Sequence, residues 1–116
     1  MKYLKGLVCL FAAVFVMSWT GISRADEIVL GYTGPLSGPA AEYGQDILNG
    51  VDMAVKGLNA GGGISVKGKK YTFKLERLDD RVDPTQAVNN ARRFKPKGAI
   101  AVFNGVFNTI APIMKI

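Results

Sequence analysis

Histidine is absent from this 116-residue sequence, and cysteine occurs only once, at Cys9. The lack of histidine excludes a Ser-His-Asp triad and removes the commonest general base and zinc ligand. Because Cys9 lies in an apolar run near the N-terminus, the rest of the chain has no thiol for a disulfide, a metal site or a nucleophile. An enzyme built on this sequence would depend on carboxylates, lysine, tyrosine or a cofactor.

Long hydrophobic runs are also scarce. The longest, residues 7–17, is eleven residues long, about half of the roughly 20 residues that a membrane-spanning helix needs. Lys2 and Lys5 precede this run, and the segment after it ends with small residues at Ser23 and Ala25. This pattern is typical of a cleaved secretion signal rather than a membrane anchor. We therefore predict a signal peptide over residues 1–25 and a mature chain beginning at Asp26.

Clustered positive charge is weak in the predicted mature chain. The formal charge of +6 falls to +3 when the three basic residues before residue 26 are removed, leaving 12 basic and 9 acidic residues. Nucleic-acid-binding domains show a clustered basic face instead, so we expect no nucleic-acid partner. The nearest approach to a cluster, Lys67, Lys69 and Lys70, is interrupted by Gly68 and predicts a solvated hairpin or loop.

Strand and helix patterns alternate along the mature chain. Residues 27–32 and 99–103 are apolar strands, and residues 71–76 alternate apolar and polar side chains as a strand does. Between the strands at residues 27–32 and 71–76, residues 40–59 carry apolar side chains on one helical face. The second helix follows Asp83 as N-cap, with Pro84 at its first position and Gln86 completing a capping-box arrangement. Asn108 or Thr109 is predicted to cap a third helix.

This β-α-β-α-β order predicts an α/β fold with a parallel, doubly wound sheet and right-handed crossovers. Ligands of such sheets sit beyond the carboxyl ends of the strands, which here are the loops 34–44, 79–83 and 104–109. Three strands and two helices leave apolar sheet surface uncovered, so we expect the chain to be the N-terminal piece of a longer protein.

The first loop is rich in glycine but does not match a phosphate-binding loop. Its glycines are spaced three and four residues apart, which differs from the dinucleotide fingerprint, and no lysine occurs between residues 31 and 50. Pro35 and Pro39 also remove backbone N–H donors. The remaining polar groups are Ser37 and Tyr43. Each is either a ligand contact or a structural residue, Ser37 as a turn or cap and Tyr43 as a partly buried aromatic.

Three aspartates in the second loop, Asp79, Asp80 and Asp83, could form an acid–base pair or a cation site. The segment lacks the alternating oxygen ligands and central glycine of a calcium loop, and Asp83 is accounted for as a helix cap. Arg77 and Arg81 lie close enough in sequence to neutralise the other two. The structural interpretation is therefore favoured.

The third loop combines polar and aromatic groups. Asn108, Thr109 and free backbone N–H groups at a helix start would attract a carboxylate. Phe103 and Phe107 would either wall an apolar ligand group or belong to the core.

Three segments, "GPLSGPAAEYGQDILNGVDMAVKGLNAGGGI", "LDDRVDPTQAVNNARRF" and "GAIAVFNG", resemble the periplasmic leucine/isoleucine/valine-binding family. Members of this family are substrate-binding subunits of ABC importers and have the type 1 periplasmic-binding fold, in which two α/β lobes close on the ligand. The resemblance implies that residues 26–116 are the N-terminal, truncated part of the ligand-binding domain.

The same resemblance implies roles for particular residues. Tyr43 would pack near the ligand side chain, and the loop after the third strand would bind the amino-acid backbone through a hydroxyl and main-chain groups. Phe107 stands where the family usually has the serine of that loop, followed by Asn108 and Thr109; Thr109 could substitute if the loop shifts by two residues. The departure leaves an aromatic or other small carboxylate ligand open.

The expected function is the substrate-binding component of an ABC importer for branched-chain or related amino acids, in the periplasm. The candidate ligand-binding residues are Ser37, Tyr43, Phe107, Asn108 and Thr109. We expect no catalysis, cofactor or metal, a membrane permease as partner, and a monomer at full length. The alternatives are an extracytoplasmic amino-acid sensor of the same fold and, less favoured, a Rossmann-like enzyme.

Overall fold

The computed structural model describes residues 25–116, so the predicted signal peptide falls almost entirely outside the described residues. The elements in chain order are β1 (Asp26–Gly34), α1 (Ala41–Ala60), β2 (Ile64–Val66), β3 (Lys69–Asp79), α2 (Pro84–Phe94), a 3₁₀ turn (Lys95–Lys97), β4 (Ala99–Phe103) and α3 (Phe107–Ile113). In this part of the chain, no helix has the length and apolar character needed to cross a membrane.

The four strands form one sheet in the order β2-β3-β1-β4. β1 lies in the centre and pairs in parallel with both β3 and β4, which confirms the predicted parallel β-α-β-α-β core. The sequence pattern did not reveal β2, a short strand that pairs antiparallel with the start of β3. Lys67 and Gly68 connect these two strands with positive φ angles of 50° and 81°, the backbone of a tight hairpin turn. The predicted lysine-bearing hairpin or loop is therefore a hairpin.

Two helices cover opposite faces of the sheet, because alternate residues of β1 point in opposite directions. On one face, the Tyr32 hydroxyl donates to the carbonyl of Gly44 in α1 at 2.7 Å. On the other face, a side chain at Gly31 would meet the ring of Phe94 in α2, whose Cγ lies 2.9 Å from the Cβ position. The arrangement is the doubly wound one that the element order predicted, and Leu48 and Phe94 are among its most buried side chains.

Asp83 caps α2 as predicted. Its carboxylate accepts hydrogen bonds from the backbone N–H groups of Thr85 and Gln86, at 2.7 and 2.9 Å, and Pro84 occupies the first helical turn. The α2 segment passes through the 3₁₀ turn and stops at Gly98, whose φ of 75° favours glycine.

The predicted start of the third helix was wrong. α3 begins at Phe107 after Val106, so Asn108 and Thr109 lie inside the first turn and do not cap it. The backbone N–H groups of Thr109 and Ile110 both donate to the Val106 carbonyl, at 3.1 and 2.9 Å. Local sequence favoured a polar cap, but the Val106 carbonyl accepts the first hydrogen bonds of the helix, so the helix starts earlier.

Candidate functional site

Three loops meet where the parallel strands end. We call this region the carboxyl edge and define it as residues 35–40, 80–83 and 104–106, together with the first turns of the helices that follow. Because β1 lies between β3 and β4, its loop is flanked by the other two. The predicted convergence of these loops is thus confirmed, and it follows from the parallel topology.

Asp79 fastens the first loop to the end of β3. Its carboxylate accepts from the Leu36 and Arg81 backbone N–H groups, both at 2.9 Å, and from the Ser37 hydroxyl. Burial acts to raise the pKa of Asp79, but these hydrogen bonds and the Arg81 charge outweigh it and hold the pKa below its usual value. The hydroxyl proton of Ser37 is therefore directed into the protein, while its oxygen can still accept a hydrogen bond.

Asp80 is fully buried and links the ends of the three parallel strands, β1, β3 and β4. It accepts from the Thr33 hydroxyl at 3.2 Å, from the Asn104 side-chain amide at 3.1 Å and from the Val82 backbone N–H at 3.0 Å. Asn90 of α2 completes this cluster, donating to the Thr33 hydroxyl at 3.1 Å and to the Asp79 carbonyl at 2.9 Å. Each of these polar groups has a partner inside the domain, which favours the structural interpretation of the aspartates over an acid–base or cation site.

The suggestion that Arg77 neutralises the aspartates was wrong. Its guanidinium lies 3.1 Å from Asp52 of α1 instead. Arg81 does approach Asp79, but its Nε lies 3.7 Å from the nearer carboxylate oxygen and its side chain is largely exposed. The aspartates are therefore held mainly by neutral hydrogen-bond donors, and the Arg81 charge adds a weaker interaction with Asp79.

The backbone of the second loop is strained. Arg81 and Val82 have φ angles of 53° and 63°, a left-handed conformation that is a genuine outlier for a β-branched residue. The side chains of Asp79 and Asp80 accept from these two backbone N–H groups and so hold the conformation in place. Strain of this kind is often found where a loop must present a defined surface.

Asn104 orients the third loop. Its side-chain oxygen accepts from the Val106 backbone N–H at 2.7 Å and from the Thr109 hydroxyl at 3.0 Å. That hydroxyl also lies 2.9 Å from the Val106 carbonyl, and Thr109 is fully buried. The geometry therefore favours a role for Thr109 in positioning α3 rather than a direct contact with a ligand.

Other candidate residues face outward at this edge. Tyr43, in the first turn of α1, is half exposed and its hydroxyl donates to the Gly105 carbonyl at 3.1 Å. Phe107 and Asn108, at the start of α3, are exposed, as is Phe103 at the end of β4. Within residues 25–116 neither phenylalanine belongs to the core. The structure thus gathers Tyr43, Phe107 and Asn108 as accessible groups and turns Ser37 and Thr109 inward.

Sequence patterns indicated little about the buried groups beneath the site. Tyr32 is fully buried under α1, and burial, followed by the charges of Asp80 and Tyr43, raises the pKa of its hydroxyl. The Tyr32 hydroxyl donates a hydrogen bond to the Gly44 carbonyl. A Cβ at Gly44 would overlap the Pro35 carbonyl. Two features of the sequence could have indicated this contact. One is Tyr32, a polar residue inside an apolar strand, and the other is Gly44, a glycine in a first helical turn.

The described geometry defines an α/β domain of the doubly wound class, with three loops that converge at the carboxyl edge. The family model of periplasmic binding proteins matches residues 27–115. The chain belongs to the periplasmic binding protein family. This is a family of binding proteins rather than enzymes.

Two curated relatives and one solved structure illustrate the similarity. The Leu/Ile/Val-binding protein of Escherichia coli (strain K12) is 36% identical over 84 residues, which are 72% of this chain and 22% of that protein. The Leu/Ile/Val-binding protein homolog 2 of Brucella abortus (strain 2308) is 36% identical over 105 residues, 90% of this chain and 27% of that protein. The chain therefore spans about a quarter of the length of these relatives.

The fold also matches a solved structure. The crystal structure of a possible leucine/isoleucine/valine-binding protein from Rhodopirellula baltica SH 1 superposes with a TM-score of 0.69 at 26% identity. The match covers 83% of this chain and 26% of that one. The match confirms the predicted fold class, the partial lobe of a type 1 periplasmic-binding fold.

Proposed function

We propose that the protein containing this chain is the substrate-binding component of an ABC importer for branched-chain or related amino acids. It would bind the free amino acid in the periplasm and deliver it to a membrane permease. In this proposal residues 1–25 are a signal peptide, the mature protein begins at Asp26, and the protein acts as a monomer without a cofactor.

The observation that carries this proposal is the construction of the carboxyl edge. Asp79 and Asp80 tie three loops together with hydrogen bonds of 2.9 to 3.2 Å, so the edge is pre-organised before any ligand arrives. Pre-organisation lowers the ordering cost of binding. The accessible groups are aromatic rings, an amide and backbone, which suit a small molecule with one apolar end. Family membership supports the same assignment.

Ligand binding can be tested by calorimetry on the complete protein. Leucine, isoleucine, valine, threonine and phenylalanine are titrated in turn, with glutamate and glucose as ligands of different chemistry. We expect saturable binding of at least one aliphatic or related amino acid and none of glucose. Binding of glucose alone, or of none of these amino acids, would contradict the proposed ligand class.

Variants on a single helix connect binding to the proposed site. Tyr43→Ala removes an accessible ring at the carboxyl edge and the hydrogen bond to Gly105. Met53→Ala removes an exposed apolar side chain from the same helix, nearly three turns farther on. We expect the first change to weaken binding and the second to leave it unchanged. Equal effects would place the ligand elsewhere.

Transport and location need separate measurements. Deletion of the gene should lower uptake of the radiolabelled amino acid that calorimetry identifies, and reintroduction should restore it. Osmotic-shock fractionation followed by N-terminal sequencing should find the protein in the periplasm with Asp26 first. Binding without any effect on uptake would instead favour the sensor alternative.

A further inference from the structure

Three aromatic side chains are exposed at or beside the carboxyl edge of residues 25–116. The exposed fractions of Tyr43, Phe103 and Phe107 are 55%, 41% and 83%. We call these three residues the aromatic rim. Large apolar groups exposed together are a departure from the ordinary protein surface and commonly mark a binding site.

The rim residues are brought together around Gly105. The Tyr43 hydroxyl donates to the Gly105 carbonyl at 3.1 Å. Phe103 and Phe107 each lie two residues from Gly105, so each Cα is within about 8 Å of the Gly105 Cα. The three residues therefore lie on or next to the short segment that follows β4.

Strand register places two of the rings on one face. Phe103 is the partner of Tyr32 in the parallel β1–β4 pair, and paired residues of neighbouring strands point to the same side of a sheet. Tyr32 points to α1, because its hydroxyl is bonded to Gly44. Phe103 thus lies on the face that α1 covers, and α1 carries Tyr43 at its start.

Hydroxyl groups near the rim donate to acceptors within residues 25–116. Ser37 donates to Asp79, Thr109 to Asn104, and Tyr43 to Gly105. The rim side chains themselves consist of aromatic carbon apart from the Tyr43 hydroxyl. A flat unsaturated group can stack on such a surface, and stacking contributes binding free energy beyond that of burying the same apolar area.

We propose that the aromatic rim selects a ligand with an aromatic side group, so that the protein ranks phenylalanine above leucine. This inference rests on the proposed function, because it names the side-chain class of the same ligand. Each ring that stacks on the ligand contributes about a two- to tenfold preference over an aliphatic group of equal area.

Calorimetry on the complete protein with three matched amino acids tests this inference. L-phenylalanine supplies the aromatic ring, L-cyclohexylalanine supplies a ring of similar size without π electrons, and L-leucine is the smaller aliphatic ligand. Benzoate, titrated separately, is an aromatic carboxylate without an amino group. We expect phenylalanine to bind at least about twofold more tightly than cyclohexylalanine and more tightly than leucine. Equal or weaker binding of phenylalanine relative to cyclohexylalanine would overturn the proposal.

Variants assign the preference to the rim. Phe107→Leu should lower the ratio of phenylalanine to leucine affinity about two- to tenfold, whereas Phe107→Tyr, which keeps a ring, should preserve the ratio. Met53→Leu, on the exposed surface of α1, is the control that should not change it. An unchanged ratio in Phe107→Leu and in the equivalent Phe103→Leu would overturn the proposal. Far-UV circular dichroism of each variant confirms that it is folded.

The outcomes separate this inference from the proposed function. Tight leucine binding with weaker phenylalanine binding overturns aromatic selection and keeps the amino-acid importer. Binding of benzoate in place of all amino acids supports aromatic selection and overturns the amino-acid ligand. Binding of no amino acid and no aromatic carboxylate overturns both.

Discussion

Replacement of Gly44 by alanine is the most informative perturbation of the scaffold beneath the site. Gly44 is buried in the first turn of α1, next to Tyr43. Its carbonyl oxygen accepts a hydrogen bond from the Tyr32 hydroxyl, with 2.7 Å between the two oxygens. An added Cβ would overlap the Pro35 carbonyl oxygen and lie 2.7 Å from the carbonyl carbon. Because the obstacle is backbone, the helix start and the first loop would have to separate.

The expected magnitude follows from three opposing effects. Alanine in a helix interior is favoured over glycine by about 1 kcal/mol. Forcing a methyl group into a closely packed contact costs about 1–3 kcal/mol, and leaving the buried Tyr32 hydroxyl unpaired costs about 1–3 kcal/mol more. We therefore expect Gly44→Ala to lower the free energy of unfolding by about 1–5 kcal/mol, despite the better helix propensity.

The same helix supplies matched controls. Gly50 and Gly57 have no atom within 4 Å of a Cβ position, so alanine at either position should raise stability by up to about 1 kcal/mol. Urea unfolding of the complete protein, followed by far-UV circular dichroism, measures all three variants on one scale. Ligand affinity should fall only in Gly44→Ala, since only that change moves Tyr43.

Comparable stability of Gly44→Ala and Gly50→Ala would refute this reasoning. It would mean that the first loop yields without cost and that the contact with Pro35 does not fix the start of α1. A Gly44→Ala variant that is destabilised but binds ligand normally would show instead that the position of Tyr43 is unimportant for binding.

Three further predictions concern individual side chains. The pKa of Asp79 is lowered, because hydrogen bonds from Ser37, Leu36 and Arg81 outweigh the effect of burial. Asp79 therefore contributes stability that is present above the usual carboxyl pKa of about 3.9 and is lost as the pH falls below it. Urea unfolding at pH 3, 5 and 7 should show this loss, and Asp79→Asn should reduce it; an identical pH dependence in that variant would contradict the assignment. Burial, then Asp80, then Tyr43, raises the pKa of Tyr32, so its stabilisation is present below about pH 10 and lost as the pH rises through the folded value. Tyr32→Phe should remove that alkaline loss while costing about 1 kcal/mol at neutral pH, and a variant as stable as the parent at pH 7 would argue against the Gly44 hydrogen bond. Asp83→Ala should destabilise α2 by about 1 kcal/mol by thermal or urea unfolding, whereas Asp83→Asn, which keeps the cap, should be nearly neutral; equal losses would indicate that the cap does not act through its oxygen.

The sequence by itself determined the order of elements and the ends of several of them. Asp83 and Pro84 define the start of α2, and Gly98 defines the end of the segment, because caps and turn residues act through their immediate backbone. Alternating and continuous apolar runs identified the three parallel strands, and parallel topology then placed their loops at one edge. The short strand β2 escaped detection because three residues carry too little periodicity.

Only the tertiary structure decided how the residues of that edge are used. Thr109 and Ser37 are predicted site residues whose hydroxyl protons are directed inward, and Asp80 became a buried link between strands. Tyr32 gained its partner from a helix twelve residues away. Hydrogen-bond partners and burial depend on contacts between distant segments, which local pattern does not encode. For the same reason, the sequence left open whether Phe103 and Phe107 belong to the core or line a ligand site. Packing placed both at the surface of residues 25–116.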